Sequence, residues 1–466
     1  MIFSGSRGLE DFLGGGCELN FSYPGDISAV GFDTKTYNKL AGGGVRLVVP
    51  KGVKSFFDGR KGVDVSTEDI GVDCIYLVDR EFDDKLIEGK KKVVVKSVFY
   101  EVVKMANAKS EEESGKLVAI TGTAGKTSTK RVVGEVLKEF GKVGYSEGNV
   151  TYHIQKTLFL SSGYDYRIFE VSAYALNSAG NIVRPDVAVI TSVGEGHSEK
   201  YGDVYDIFNI KTKVLTNIRP GGAAVVNSDI PFFSEVAEKI SDKVSLVTYG
   251  EASWADYRLD SYDSKTGSVC ATLHGRAVSF NTSLAGRHNA INMLGALAVF
   301  DALGVGVENC LEKLNSINPP RGRGDEFLAK LSKAEVRVIN DCYNANPVSM
   351  KASLESFSQR HVASGRKILV LGDMLELGKD SILHHLALSE IVNSSGFDKV
   401  FLVGEHMANL WPKLSPEIRG ASFTSYKQVL PVLRRELEDG DNILFKSSNS
   451  VGLNKVVKFL LRKYGV

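Results

Sequence analysis

A chain of 466 residues exceeds what one hydrophobic core usually holds, so two to four domains are expected. Lys and Arg number 57 against 56 Asp and Glu, a formal charge of +1 that excludes nucleic-acid binding through bulk charge. No apolar run approaches the roughly 20 residues of a membrane span, and the N-terminus has no basic region leading into an apolar one. The sequence therefore reads as a cytoplasmic globular protein. Its five cysteines (Cys17, Cys74, Cys270, Cys310 and Cys342) are scattered, odd in number and never spaced C-x-x-C. They are predicted to be buried free thiols, not a disulfide framework or zinc site.

Residues 1–105 alternate short apolar runs with glycine-rich turns, and 45–49, 74–78 and 92–97 read as strands of a small α/β domain closed by a helix over 98–105. The Gly-rich 42–44 lacks a following Lys-Ser/Thr and reads as a plain loop. The polar stretch 106–115, ANAKSEEESG, has no apolar period and marks a linker. Predicted boundaries are 1–110 for an N-terminal substrate domain, 111–318 for a central nucleotide domain and 319–466 for a C-terminal domain.

Residues 118–129, VAITGTAGKTST, carry the clearest chemistry. An apolar β-branched run enters the small-residue turn Gly122, Thr123, Ala124, Gly125; then come Lys126, Thr127 and Ser128 and a helical pattern. Strand, glycine turn, Lys-Thr and helix form a phosphate cradle. Backbone amides and a helix N-terminus face an anion, a lysine adds charge, and a threonine hydroxyl reaches Mg²⁺. The general G-x-x-x-x-G-K-[ST] spacing would place glycine at Ile120, so this is a compact variant. Val132, Val133, Val136, Leu137 and Phe140 share one helical face, which packs that helix on a sheet.

Strands follow at 166–171, 187–191 and 223–227, each running into polar residues. In a doubly wound sheet, ligands lie beyond the carboxyl ends of strands, which puts Glu170 and the GEGH loop 194–197 near the cradle. Residues 242–284 alternate in short β-like runs, expected as a hairpin region at the sheet edge. A helix over 289–303 is closed by Gly304, with Asn289 able to act as N-cap. After Pro319-Pro320, four parallel-type strands (336–341, 367–373, 399–405 and 442–447) alternate with helices and end in polar residues. A second doubly wound sheet with a binding edge is expected. The predicted class is α/β in three domains: a small N-terminal α/β domain, a central P-loop-type mostly parallel sheet, and a C-terminal Rossmann-like sheet.

The ordered series TGTAGKTSTK, GNVTYH, FEVSAYAL, VGEGHSEKYGDVYDIFNIKTK, GRHNAINMLGAL, PPRGRGDEF, NDCYNANPVSM and GDMLELG resembles the Mur ligase family over about 116–460. The first hundred residues match that family poorly. The resemblance implies an ATP-dependent ligase that joins a small-molecule carboxylate, a UDP-muramoyl-peptide-like cell-wall precursor, to an amino acid or dipeptide through an acyl phosphate. Implied cofactors are ATP and two Mg²⁺. Lys126 would contact the β/γ-phosphates, Thr127 and Glu170 the first Mg²⁺, and His197 the second. Lys211 matches a lysine that the family often carbamylates, although Lys213 stands where the pattern has Glu. Asn289 and Asn292 would lie near adenine, Arg323 at the phosphates and Asp341 at the ribose. Tyr343, Asn344 and Asn346 would line the amine's cleft, and His385 and Lys446 match further substrate positions of the family in the third domain. A monomer is expected. Alternatives are a ligase of the same mechanism acting on a carboxylate not attached to UDP (pseudomurein, polyglutamate or specialised-metabolite chemistry), a P-loop ATPase coupled to a macromolecule, and a non-catalytic nucleotide binder.

Overall fold

The computed structural model describes residues 18–19, 27–31, 45–50, 53, 74–98, 100–102, 104, 114–145, 163–178, 184–196, 198–331, 333–362 and 365–465. Cys17, the 42–44 turn, most of the 106–115 linker, the GNVTYH segment and His197 lie outside them. The chain divides into two compact units, residues 1–117 with 142–184, and residues 118–141 with 185–466.

Strands in chain order are β1 (Glu18–Leu19), β2 (Ile27–Gly31), β3 (Val45–Val48), β4 (Cys74–Asp79), β5 (Lys92–Val95), β6 (Lys116–Thr121), β7 (Val143–Tyr145) and β8 (Tyr166–Glu170). Then follow β9 (Val187–Ile190), β10 (Ala223–Asn227), β11 (Ser245–Gly250), β12 (Tyr257–Tyr262), β13 (Ser268–Leu273) and β14 (Arg276–Asn281). The last six are β15 (Asp325–Lys330), β16 (Glu335–Asp341), β17 (Lys367–Gly372), β18 (Lys399–Val403), β19 (Arg419–Phe423) and β20 (Asn442–Lys446). Six helices matter below: α1 (Lys126–Leu137), α2 (Val204–Thr212), α3 (Arg287–Ala302), α4 (Pro347–Ser358), α5 (Val429–Glu436) and α6 (Leu453–Tyr464).

In the first unit, β1-β5-β4-β3-β2 form a sheet that is parallel except for β1 against β5. The predicted closing helix is helical at positions 98, 100–102 and 104. A parallel pair, β7 with β8, completes what is described of this unit's strands. Strand β4 is a nearly continuous apolar run, the composition of a strand buried on two faces, whereas β8 buries Arg167 and Glu170 beside Ile168 and Phe169.

The second unit contains two sheets. In the first, the strand run β11-β10-β9-β6 is parallel, with β12 joining β11 in parallel and β13 and β14 continuing as an antiparallel ribbon. The expected edge hairpin is thus β12 to β14, whereas the run 245–250 belongs to the parallel core. Helix α3 carries buried residues on every side, from Ala290 to Phe300, as befits a helix enclosed by α1 and the sheet. It starts at Arg287 with Gly286 as N-cap, so Asn289 sits inside the first turn and is not the cap. On α1, Val132, Val133, Val136 and Leu137 are fully buried, but Phe140 lies past the helix end and is 37% exposed.

The C-terminal sheet runs β15-β16-β20-β17-β18-β19, parallel except at β15. Alternation along each strand feeds two cores. Val336, Val338, Ile368, Val370, Ile443 and Phe445 pack with α5 and α6, while Ile339, Leu369, Leu371 and Leu444 pack with Met350, Leu354 and Phe357 of α4. This doubly wound arrangement brings the polar ends of β16, β17 and β20 to one edge. Cys74, Cys310 and Cys342 are buried free thiols as expected, and Cys270 is the exception, exposed on the edge ribbon.

Candidate nucleotide site

The turn after β6 is shaped by backbone first. Gly122 has φ +153°, and a Cβ there would come within 1.9 Å of the Thr191 Oγ1. Gly125 has φ +85° and is the N-cap of α1, and a Cβ there would meet the Asn292 amide at 2.7 Å. Glycine alone fits both places. No side chain caps α1. Its first amides and its dipole are therefore presented to whatever anion enters the turn.

The exit of β9 holds this turn in place. Thr123 N–H donates to the Ser192 carbonyl (2.9 Å), and Ala124 N–H donates to Ser192 Oγ (2.8 Å). Thr191 Oγ1 donates to the Ala124 carbonyl at 2.5 Å and Thr123 Oγ1 to the Gly194 carbonyl at 3.1 Å. Thr191 and Ser192 escaped the sequence reading as individual residues; their signal was the polar ending of an apolar strand.

Three cations gather at the turn. Lys126 Nζ folds back on its own loop and donates to the Gly122 carbonyl at 2.6 Å. Lys211, in the last turn of α2, is 3% exposed. Burial, and secondly the charge of Lys126, hold its amine well below the usual lysine range. Arg323 comes from the segment after Pro319-Pro320: its guanidinium donates to Thr127 Oγ1 at 3.2 Å and stacks 4.2 Å over the Tyr343 ring. Its buried Nε has no hydrogen-bond partner among the described residues. A buried N–H without an acceptor is costly unless a ligand supplies one.

The remaining expected site residues fall into distinct places. Glu170 is fully buried at the end of β8, in the first unit. Asn292, expected at adenine, packs its amide behind Gly125, and Asn289 donates to the Ala285 carbonyl at 2.7 Å. Asp341 Oδ2 takes both Lys446 Nζ (2.7 Å) and the Ser353 hydroxyl. Lys446 is 2% exposed and also donates to the Asn344 carbonyl at 3.1 Å, so it holds a strand end together. Asn346 caps α4 through Ser349 N–H (2.8 Å) and reaches across to the Thr123 carbonyl at 3.4 Å.

His385 corrects an expectation. It is fully buried, its Nε2 accepts from Met374 N–H at 2.9 Å and its Nδ1 lies 2.6 Å from the Ser381 carbonyl, so neither nitrogen is left for a substrate. Its neighbour His384 is the residue that faces the cradle side, 3.8 Å from Glu195 of the GEGH loop. His288, quoted within GRHN but given no role from sequence, lies where Asp341 and Lys446 both act on it. Burial drives its pKa down to about 4, against the raising effect of Asp341.

Among the described residues no three His, Cys, Asp or Glu side chains cluster to hold a metal. The Thr127 hydroxyl is nonetheless a hard oxygen donor of the kind Mg²⁺ takes alongside water and phosphate.

Comparison with known proteins follows the same geography. Residues 120–300 match the Mur ligase middle domain and residues 327–449 the Mur ligase, glutamate ligase domain. The chain is similar to the UDP-N-acetylmuramoyl-tripeptide–D-alanyl-D-alanine ligase of Bacillus subtilis, 28% identical over 414 residues, 87% of this chain and 88% of that one. Its likeness to the enzyme of the same name from Synechocystis is 30% over 362 residues, 74% of each chain. The crystal structure of MurF ligase from Thermotoga maritima in complex with ADP superposes with a TM-score of 0.73 at 22% identity, covering 91% of this chain and 96% of that one.

Proposed function

The chain belongs to the Mur ligase family, and from that premise we propose that it joins the carboxylate of a UDP-muramoyl-peptide precursor to a dipeptide of the D-alanyl-D-alanine type. It is an ATP-dependent ligase that forms carbon–nitrogen bonds. The γ-phosphoryl group passes to the carboxylate, giving an acyl phosphate and ADP. The free amine then attacks the acyl carbon, and the tetrahedral intermediate expels phosphate to leave the amide. Such chemistry asks the protein mainly for positioning and for neutralising phosphate charge.

The observation that carries this reading is the crowding of Lys126, Lys211 and Arg323 around an uncapped helix start, an arrangement that is complete only with a polyanion between them. The α1 amides and Lys126 hold the β/γ-phosphates. Arg323, turned by the Tyr343 ring, offers its unpartnered Nε to the same group. Thr127 would supply an oxygen to bound magnesium, the role that the family resemblance also gives Glu170, and the ion would neutralise phosphate charge. Asp341 keeps Oδ1 for the ribose hydroxyls while Lys446 and Ser353 hold Oδ2.

Lys211 is the residue that this reading changes most. A neutral buried amine is a nucleophile for CO₂, forming a carbamate and releasing one proton. The product is an anion beside Lys126 in place of a neutral amine. That exchange sets a negative charge against Lys126 and would supply one more oxygen ligand for magnesium.

A second reading has one observation in its favour. Both domain matches begin after residue 119, leaving outside them the region that would hold the UDP moiety. The alternative that this leaves is a carboxylate without UDP. Measuring ADP release over a panel of UDP-muramoyl peptides and free carboxylates, each with amino acids and D-alanyl-D-alanine, and detecting the amide by mass, separates the two. Turnover confined to the UDP-muramoyl tripeptide with the dipeptide is the expected result. Turnover with a free carboxylate alone selects the second reading, and ADP release indifferent to both substrates defeats the ligase assignment.

A further inference from the structure

Helices α5 and α6 cover one face of the C-terminal sheet and turn their other sides outward. On α6, Leu453, Val456, Val457 and Leu460 enter the core. This leaves Lys455, Lys458, Phe459, Leu461, Arg462 and Lys463 at the surface, with Phe459 39% and Leu461 42% exposed. Arg434 of α5 and Lys427, just before it, extend the same basic surface. The chain as a whole is nearly neutral, so this is a local concentration of charge.

These cations are not spent inside the molecule. Among the described residues none of Lys427, Arg434, Lys455, Lys458, Arg462 and Lys463 forms an ion pair. The carboxylates that close this region are engaged elsewhere, Glu436 with Lys399 at 2.7 Å and Glu438 with Arg366 at 2.9 Å. Three of the six lie over rings instead. Arg434 sits 5.8 Å from the Phe459 ring and 5.3 Å from that of Tyr464, Lys463 is 5.7 Å from both, and Lys455 is 5.1 Å from Tyr426. Cation–π contacts fix where the charges stand without neutralising them.

We propose that this face docks on an anionic lipid surface. Two features favour a bilayer over a point-like phosphate or an acidic protein. The charges are spread over two helices and do not converge on one spot. They also surround the exposed Phe459, and a lipid interface offers anionic headgroups for the charges and acyl boundary for the ring. The contact is peripheral, because the main apolar stripe of α6 is already committed to the sheet.

Co-sedimentation of the full chain with vesicles tests this. Equimolar phosphatidylglycerol and phosphatidylcholine vesicles should carry the protein down at low salt, pure phosphatidylcholine vesicles should not, and about 0.5 M salt should release it. Each basic side chain near an anionic surface multiplies partitioning by about five, so Lys458→Glu/Arg462→Glu/Lys463→Glu should lower it at least a hundredfold. Phe459→Ser should lower it several-fold, and ligase turnover of both variants should stay within twofold of the parent. The neutralising pair Lys458→Gln/Arg462→Gln, which keeps the aliphatic stems, should weaken binding about twenty-fold, and serves if the triple variant misfolds. No binding to anionic vesicles, equal binding to the zwitterionic ones, or binding untouched by these substitutions overturns the proposal. Tighter binding to a polyglutamate peptide, indifferent to Phe459→Ser, overturns it in favour of an acidic protein partner.

Discussion

Two faces meet across the cradle, and they manage charge in opposite ways. On the side of α1 and α2, like charges are packed together: Lys126 and Lys211 share a small volume, and burial has driven one of them towards neutrality. On the side of β16 and β20, opposite charges are already matched, Asp341 against the buried Lys446, with Ser353 completing the set. Their helices differ likewise. The start of α4 is closed by Asn346 and Ser349 in a reciprocal cap, while the start of α1 has only glycine. One face is finished before any ligand arrives, and the other is finished by it. An ATP site built this way spends protein charge only where phosphate enters, and uses the neutral side as a frame.

The largest effect should come from the open face. Replacing Lys126 by Ala is expected to lower the rate of ADP formation by about a thousandfold, as for other donors aimed at transferring charge, with an unchanged far-ultraviolet circular dichroism spectrum. A loss under tenfold would mean that the crowded cations are structural.

Lys211→Met sharpens the same contrast because it separates activity from stability. Ligation should fall at least a hundredfold while the ligand-free, uncarbamylated protein gains thermal stability, since a buried polar amine beside Lys126 disappears. The pH dependence follows from the direction of the shift. A lysine whose folded pKa is depressed holds fewer protons folded than unfolded, so stability of the parent should rise with pH from that depressed value up to the ordinary lysine range. The Met variant should lack that slope. Labelled bicarbonate should give a carbamate carbon signal in the parent and none in the variant.

Gly125→Ala should weaken ADP binding by roughly ten- to a hundredfold in calorimetry, since it strains a positive-φ position and pushes on Asn292. Adding Asn292→Ala should recover the steric part and leave the backbone part. Equal binding by both variants would remove Asn292 from the support of the turn.

The smallest effect belongs to the matched face. His288, held near 4, binds fewer protons folded than unfolded between pH 4 and 6.5, so stability should fall as pH drops through that range. His288→Asn should flatten the slope in urea denaturation. An unchanged slope would place the responsible group elsewhere.

Much of this was legible in the sequence because it is written in runs. The buried strands β4, β9, β10, β17, β18 and β20 are near-continuous apolar stretches, and each was foreseen within a residue or two. Edge strands β2, β7, β15 and β19 were not, since half-exposed stretches such as DEFLAK and RGASF carry no apolar run and owe their conformation to a neighbour. The cradle was readable because glycine at two positive-φ positions leaves few alternatives. Side-chain destinations were harder. His385 and Asn292 sit in recognisable motifs, yet one is consumed by backbone groups and the other by packing against Gly125, and neither outcome has a local sequence signal.

Strand β20 has a consequence for how the protein is made. It pairs with β16 on one side and β17 on the other, Asn442 standing opposite Arg337 and Lys367, so the middle of the C-terminal sheet is supplied by residues translated roughly a hundred positions after its first strands. A nascent chain that has passed residue 400 has β16 and β17 in hand with a gap between them. The late strand closes the sheet, and its last residue, Lys446, simultaneously neutralises Asp341. Assembly of this half should therefore be slow and all-or-none, with the matched face of the site appearing in the same step as the sheet itself.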